Sequence, residues 1–113
     1  MSAADYIALV AARADIIRRF DASTRDYDAL ALPTCPLIPP RIADLAQESE
    51  YTRVNMLMLR NNAMGNFLDR CAISLPCHAV GELPVGFMLM GEAMADRRIL
   101  AMARSVAPVV KGQ

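Results

Sequence analysis

The sequence predicts an α/β domain: a three-stranded mixed sheet in the order α-β-α-β-β-α, with helices packed on it. Three observations lead there. Two apolar runs without charge, Ala72–Leu75 and Val85–Met90, flank a turn-rich break at Cys77–Pro84. Each run is short, holds a β-branched residue and is bounded by Pro or Gly, the pattern of a buried strand. Segments with apolar residues at helical spacing precede, separate and follow the strand-like runs, so helices are available to cover a sheet that is apolar on both faces. At 113 residues the chain is read as a single domain, 1–113.

Taken in order, residues 3–21 read as an amphipathic helix. Ser2 followed by Asp5 is a capping-box start. Tyr6, Leu9, Val10, Ile16, Ile17 and Phe20 recur on one side, with Asp5, Arg13, Arg18 and Arg19 on the other. Tyr27–Leu32 reads as the first strand, stopped by Pro33. Prolines 33, 36, 39 and 40 then forbid regular structure. Residues 52–68 read as a second helix that Thr52 would cap, with an end weakened by Gly65 and Asn66.

The two apolar runs follow. The break between them is too short for a crossover helix, so they should pair antiparallel. The first strand reaches the second through a helix, so those two are expected to run parallel with a right-handed crossover. Met94–Ala107 reads as the last helix, with Asp96 in its first turn, a stripe of Ile99, Leu100, Ala103 and Val106, and Pro108 as its stop.

Composition bounds the function. Twelve basic and twelve acidic residues are interspersed at zero net charge, which leaves no footprint for nucleic acid or an anionic membrane. No window approaches the length of a transmembrane span, and the N-terminal segment is no signal peptide because Asp5 and Arg13 interrupt it. The three cysteines, at 35, 71 and 77, form no CxxC pair, so neither a disulfide framework nor a zinc knuckle is expected, and a reducing, cytoplasmic setting fits. Apolar residues make up 55% of the chain, with eight Met, so part of its apolar surface should be covered by another subunit or domain. The methionines otherwise read as core filler.

Several motifs occur in a definite order: S-A-A-D-Y before the first helix, Y-D-x-L-x-L-P-T-x-P, R-N-x-x-x-x-N-F-L-D, S-L-P-C, G-x-L-P-V-G-F-x-L-M-G, and Asp96-x-x-Ile-Leu. From roughly Ser2 to Val106 this succession resembles the C-terminal region of the amidase signature family, serine hydrolases that cleave linear amides. The resemblance implies the C-terminal slice of a larger mixed sheet, with an edge that upstream strands would pair. By the same resemblance Ser2–Tyr6 reads as an internal helix start of a longer enzyme, with Met1 either an internal residue or the point where a longer chain was cut. The family's chemistry needs a nucleophilic Ser, a second Ser and a Lys base, and a Gly/Ser-rich loop whose N–H groups hold the oxyanion.

Those parts are missing from this sequence. The five glycines are scattered, no Ser-Ser or Gly-Ser pair occurs, and the one lysine, Lys111, lies in the C-terminal tail. Alone, the chain is therefore expected to be inactive. A thiol enzyme based on Cys35 or Cys77 is disfavoured, because Cys77 and His78 are adjacent in an extended stretch and point to opposite sides. Ser74 reads as a buried hydroxyl with a backbone partner. By the resemblance, the segment after Pro-Thr-x-Pro and the one before the second strand lie near the substrate channel. The substrate-binding candidates are thus Thr34, Cys35, Arg60, Asn61 and Asn66. The plainer reading of Asn66 is that it caps a helix end together with Asp69. No cofactor or metal is expected. The expected partner is either a second copy, making a homo-oligomer, or a missing N-terminal catalytic half. The alternative to an amidase fragment is a non-catalytic binding or assembly module.

Overall fold

The computed structural model describes residues 1–110. Helix α1 spans Ala3–Thr24 and opens with the reciprocal capping box: the Ser2 N–H donates to Asp5 Oδ2 at 2.8 Å and the Asp5 N–H to Ser2 Oγ at 3.2 Å. It runs three residues past the expected end, where the Ser23 and Thr24 hydroxyls donate back to the Phe20 carbonyl. Strand β1, Leu30–Pro33, starts later than expected, because the Tyr27 N–H bonds the Thr24 carbonyl in the turn that leaves the helix.

A four-residue 3-10 turn at Ile42–Leu45 breaks the proline-rich segment. Helix α2, Glu48–Phe67, begins at Gln47 rather than Thr52, with no side-chain cap; Glu48 and Glu50 in its first turn complement the helix dipole instead. Its end is a Schellman motif: the Arg70 N–H donates to the Gly65 carbonyl at 3.0 Å and the Asp69 N–H to the Asn66 carbonyl at 3.4 Å. Asp69 takes the left-handed position, at φ 54°, that this turn demands.

Strands β2, Ala72–Pro76, and β3, Gly86–Met90, follow, and then α3, Asp96–Val110. The last helix continues through Pro108, which was expected to stop it. Pro108 lies on the exposed side of the final turn, where water can take the bond that its missing N–H leaves open.

The sheet order is β1-β3-β2 and both ladders are antiparallel, where a mixed sheet was expected. β1 and β2 do run in the same direction, as a helical crossover requires. They flank β3 instead of touching, so no parallel ladder forms. One row of the register reads Leu32, Met88, Ser74 across the three strands.

Alternation gives the sheet two faces. Ile73, Leu75, Phe87 and Leu89 meet Ala103, Met102 and Val106 of α3 in the main core. Met88 and Met90 point the other way, toward α2. Gly65 lets that helix approach closely, since a Cβ there would stand 3.0 Å from Met90 Cε.

Helix α1 buries no residue. It is held at the α2–β2 corner by two arginines. Arg13 Nε donates to the Phe67 carbonyl at 2.9 Å, and its Nη2 pairs with Asp69 at 2.5 Å. Arg70, with only 3% of its side chain exposed, pairs with Asp21, donates to Thr24 and stacks 5.0 Å from the Phe20 ring centre. Beyond that corner Tyr6, Ile7, Leu9 and Val10 stand exposed.

The accessible surface is 8407 Å² for 12.3 kDa, against about 6,100 Å² for a compact monomer of that mass. The shape is a slab 52 × 41 × 18 Å. Large apolar side chains such as Ile7, Ile42, Val80 and Val109 stand exposed. No helix among the described residues is long and apolar enough to cross a membrane.

Candidate functional site

A groove of about 500 Å³ opens where the ends of β1, β2 and β3 meet the proline-rich segment, a volume in the range of small-molecule sites. One wall is Thr34, Cys35, Pro36, Leu37, Ile38 and Pro39; the other is Ser74, Pro76, His78, Pro84 and Val85; Gly86 and Met58 also line it. Among the described residues no carboxylate, Lys or Arg lines it. The prolines at 33–40 also restrict the backbone of this wall, which bends at Thr34–Leu37, because each fixes its own φ and restrains its predecessor.

Polar groups are few and placed. Thr34 Oγ1 and Ser74 Oγ lie 2.5 Å apart, although their strands are not neighbours. They meet over Gly86: the Thr34 N–H donates to the Gly86 carbonyl at 2.8 Å, and a Cβ on Gly86 would stand 2.5 Å from both hydroxyl oxygens. Ser74 is exposed, not buried, and its partner is a side chain rather than backbone. The buried-hydroxyl expectation fails because β2 is an edge strand whose Ser74 side is left uncovered.

His78 is fixed by the loop that closes β2 onto β3. The Val85 N–H donates to its Nδ1 at 3.2 Å, and the Cys77 N–H donates to the Val85 carbonyl at 3.0 Å. Gly81, at φ 90°, makes the reversal. The Ala79 N–H is taken by Glu82 Oε2 at 3.1 Å.

Of the candidates named from sequence, Thr34 and Cys35 line the groove. Asn61 lies behind it: its Nδ2 donates to the Pro33 carbonyl at 2.7 Å, pinning the end of β1 to α2. Arg60 is exposed on α2 and is not part of the groove wall. Asn66 belongs to the last turn of α2, away from the groove, where its carbonyl accepts from Asp69. Ser74, His78 and Gly86 were not among the candidates. No spacing in the sequence brings Thr34 to Ser74, 40 positions on; the strand order does.

The three cysteines are free thiols. Cys71 donates to the Glu92 carbonyl at 3.0 Å and Cys77 to the Val85 carbonyl at 3.5 Å, so both are spent on backbone. Among the described residues no three His, Cys, Asp or Glu side chains converge to hold a metal ion. Among the same residues no base is hydrogen-bonded to either hydroxyl of the Thr34–Ser74 pair, and Lys111 lies outside them.

Comparison with known proteins agrees with this geometry. The 2-amino-5-chloromuconic acid deaminase of Comamonas testosteroni is 35% identical over 86 residues, covering 75% of this chain and 19% of its own length. A glutamyl-tRNA(Gln) amidotransferase subunit of Halobacterium salinarum is 33% identical over 96 residues, 84% of this chain and 22% of that one. Among solved structures, the S177A allophanate hydrolase of Kluyveromyces lactis superposes with a TM-score of 0.76 at 28% identity, over 97% of this chain and 18% of its own. The chain thus spans about a fifth of the length of the curated relatives it matches. The profile of the family described as Amidase matches residues 1–100, and the chain belongs to that family.

Proposed function

We propose that this chain acts as the C-terminal part of an amide-hydrolysing enzyme. It supplies one wall of the substrate groove, while another stretch of polypeptide brings the serine–lysine relay and the oxyanion loop. The observation that carries this reading is the groove itself: an uncharged, mostly apolar cleft with a hydroxyl pair and one imidazole but no base on either hydroxyl. Such a cleft can bind and orient an acyl group but cannot activate a nucleophile. The excess of about 2,300 Å² of accessible surface over a compact monomer supports it as well, since that is the scale of an obligate interface.

On this reading residues 1–113 are a single structural unit of the larger enzyme. Thr34 and Cys35 contact substrate, Asn61 positions Thr34, and Arg60 and Asn66 face the missing polypeptide. The relatives named as amidotransferase subunits make a separate catalytic chain a reasonable partner. Three free thiols suit a reducing, cytoplasmic setting.

The test is ammonia release from hexanamide. The purified chain should release none above buffer, and adding a polypeptide with the Ser/Gly-rich loop and the lysine should restore it. Turnover by the chain alone, lost in Cys35→Ala or Ser74→Ala, overturns the proposal.

A second reading rests on the sheet edges. Among the described residues β1 and β2 each leave an edge unpaired, and an open edge invites a second copy. A discrete dimer in light scattering, with no activation by added catalytic polypeptide, would favour a self-pairing assembly module.

A further inference from the structure

We infer that His78 is a specificity-determining residue of the groove, presenting a neutral Nε2–H donor that selects ligands with a carbonyl oxygen. The inference rests on the substrate-groove reading above and adds the chemistry of what the groove takes.

The argument begins at Val85. Its carbonyl already accepts the Cys77 N–H at 3.0 Å. Its N–H has one acceptor among the described residues, His78 Nδ1 at 3.2 Å. The same Nδ1 also lies 3.3 Å from the Val85 carbonyl, so a proton on Nδ1 would add another donor to an oxygen that already takes the Cys77 N–H and Sγ and would leave the Val85 N–H without an acceptor among the described residues. With a lone pair on Nδ1 the Val85 N–H has its acceptor, and the Val85 carbonyl keeps the Cys77 N–H. The neutral ring must then carry its proton on Nε2.

Nε2 has no protein partner among the described residues, and the His78 ring lines the groove. The Thr34–Ser74 pair, which also lines the groove, uses one hydroxyl proton between its two oxygens and leaves the other free. The groove therefore offers two free donors, no charge, and apolar walls from Leu37, Ile38 and Met58. A neutral amide with an apolar acyl chain fits this set: its carbonyl oxygen accepts, and its chain covers the apolar wall. A carboxylate would enter an uncharged, mostly apolar cleft whose lining holds no Lys or Arg among the described residues.

The experiment uses the full chain and hexanamide as the probe. First, ¹⁵N spectra of the neutral imidazole should show the proton on Nε2 and Nδ1 unprotonated. Second, hexanamide should shift the His78 Nε2, Thr34 and Val85 signals together. His78→Phe, which keeps a planar ring but removes the donor, should bind hexanamide about 3- to 10-fold more weakly. His78→Gln, which returns an uncharged N–H donor, should recover most of that loss.

A proton found on Nδ1 overturns the inference directly, on the unmodified chain. Unchanged affinity in His78→Phe, or equal loss in both variants, overturns it while the groove reading stands. If hexanamide moves none of the groove signals, the groove reading falls and this inference falls with it.

Discussion

Thr34 Oγ1 and Ser74 Oγ touch at 2.5 Å although their strands, β1 and β2, lie on opposite sides of β3. A contact between strands two places apart is possible only where the strand between them carries no side chain. Gly86 is that position, and it stands at the floor of the groove.

Gly86→Ala should therefore separate the hydroxyls and narrow the groove. The new Cβ would meet Thr34 Oγ1 and Ser74 Oγ at 2.5 Å and Thr34 Cβ at 3.0 Å, so β1 must shift. Overpacking of this kind costs about 1–3 kcal/mol. Urea unfolding measures the loss, and the hexanamide response should weaken with it. Gly81→Ala is the control, with open space around its Cβ position but φ at 90°; its cost should be confined to turn strain and leave β1 in place.

The two arginines that hold α1 should differ in weight. Arg13 and Asp69 are both partly exposed, at 39% and 59%, so Arg13→Ala should cost about 1 kcal/mol. Arg70 is nearly enclosed and bonds Asp21 and Thr24, so Arg70→Ala should cost about 2–3 kcal/mol. Hydrogen exchange should show protection lost along α1 in both variants while β3 stays protected. Equal exchange in α1 and β3 would mean that α1 is held by something other than this corner.

Substitutions on α3's side of the sheet and on α1 should separate core from interface. Leu89, 5% exposed, packs with Leu75 and Ala103, and Leu89→Ala should cost about 2–5 kcal/mol. Leu9, 59% exposed, should be neutral in the chain alone. If the catalytic polypeptide proposed above covers α1, Leu9→Asp should weaken activation by that polypeptide without changing the chain's own melting temperature.

The start of α1 should depend on acid. The Ser2 backbone N–H, and then its hydroxyl, hold the Asp5 carboxyl below its ordinary value of 3.8. A folded-state pKa below the unfolded one gives a contribution that is complete above the ordinary value and is lost as pH falls through the folded one. The first turn of α1 should therefore loosen below about pH 4, seen as loss of the Asp5 amide's protection. Asp5→Asn should remove that pH dependence.

The elements and the family are legible in local pattern. The capping box at Ser2, the uncharged runs at 72–75 and 85–90, and the proline-rich break at 33–40 can each be read because their causes are local: a side-chain cap, a run of apolar residues, a fixed φ. The absence of a Gly/Ser loop is legible for the same reason. Thr34 and Cys35 could be named only through the resemblance, which puts the segment after Pro-Thr-x-Pro near the substrate channel.

Which strands are neighbours, and what meets across them, depends instead on packing between distant segments. Strand order rests on long-range pairing of both outer strands with β3, and no local pattern chooses β1-β3-β2 over a mixed sheet. From that choice follow the meeting of Thr34 with Ser74, the close approach at Gly86, and the exposure of Ser74 on an edge strand. The left-handed turn at Asp69 also belongs here, since Arg13, 56 residues away, binds its carboxylate and the last carbonyl of α2.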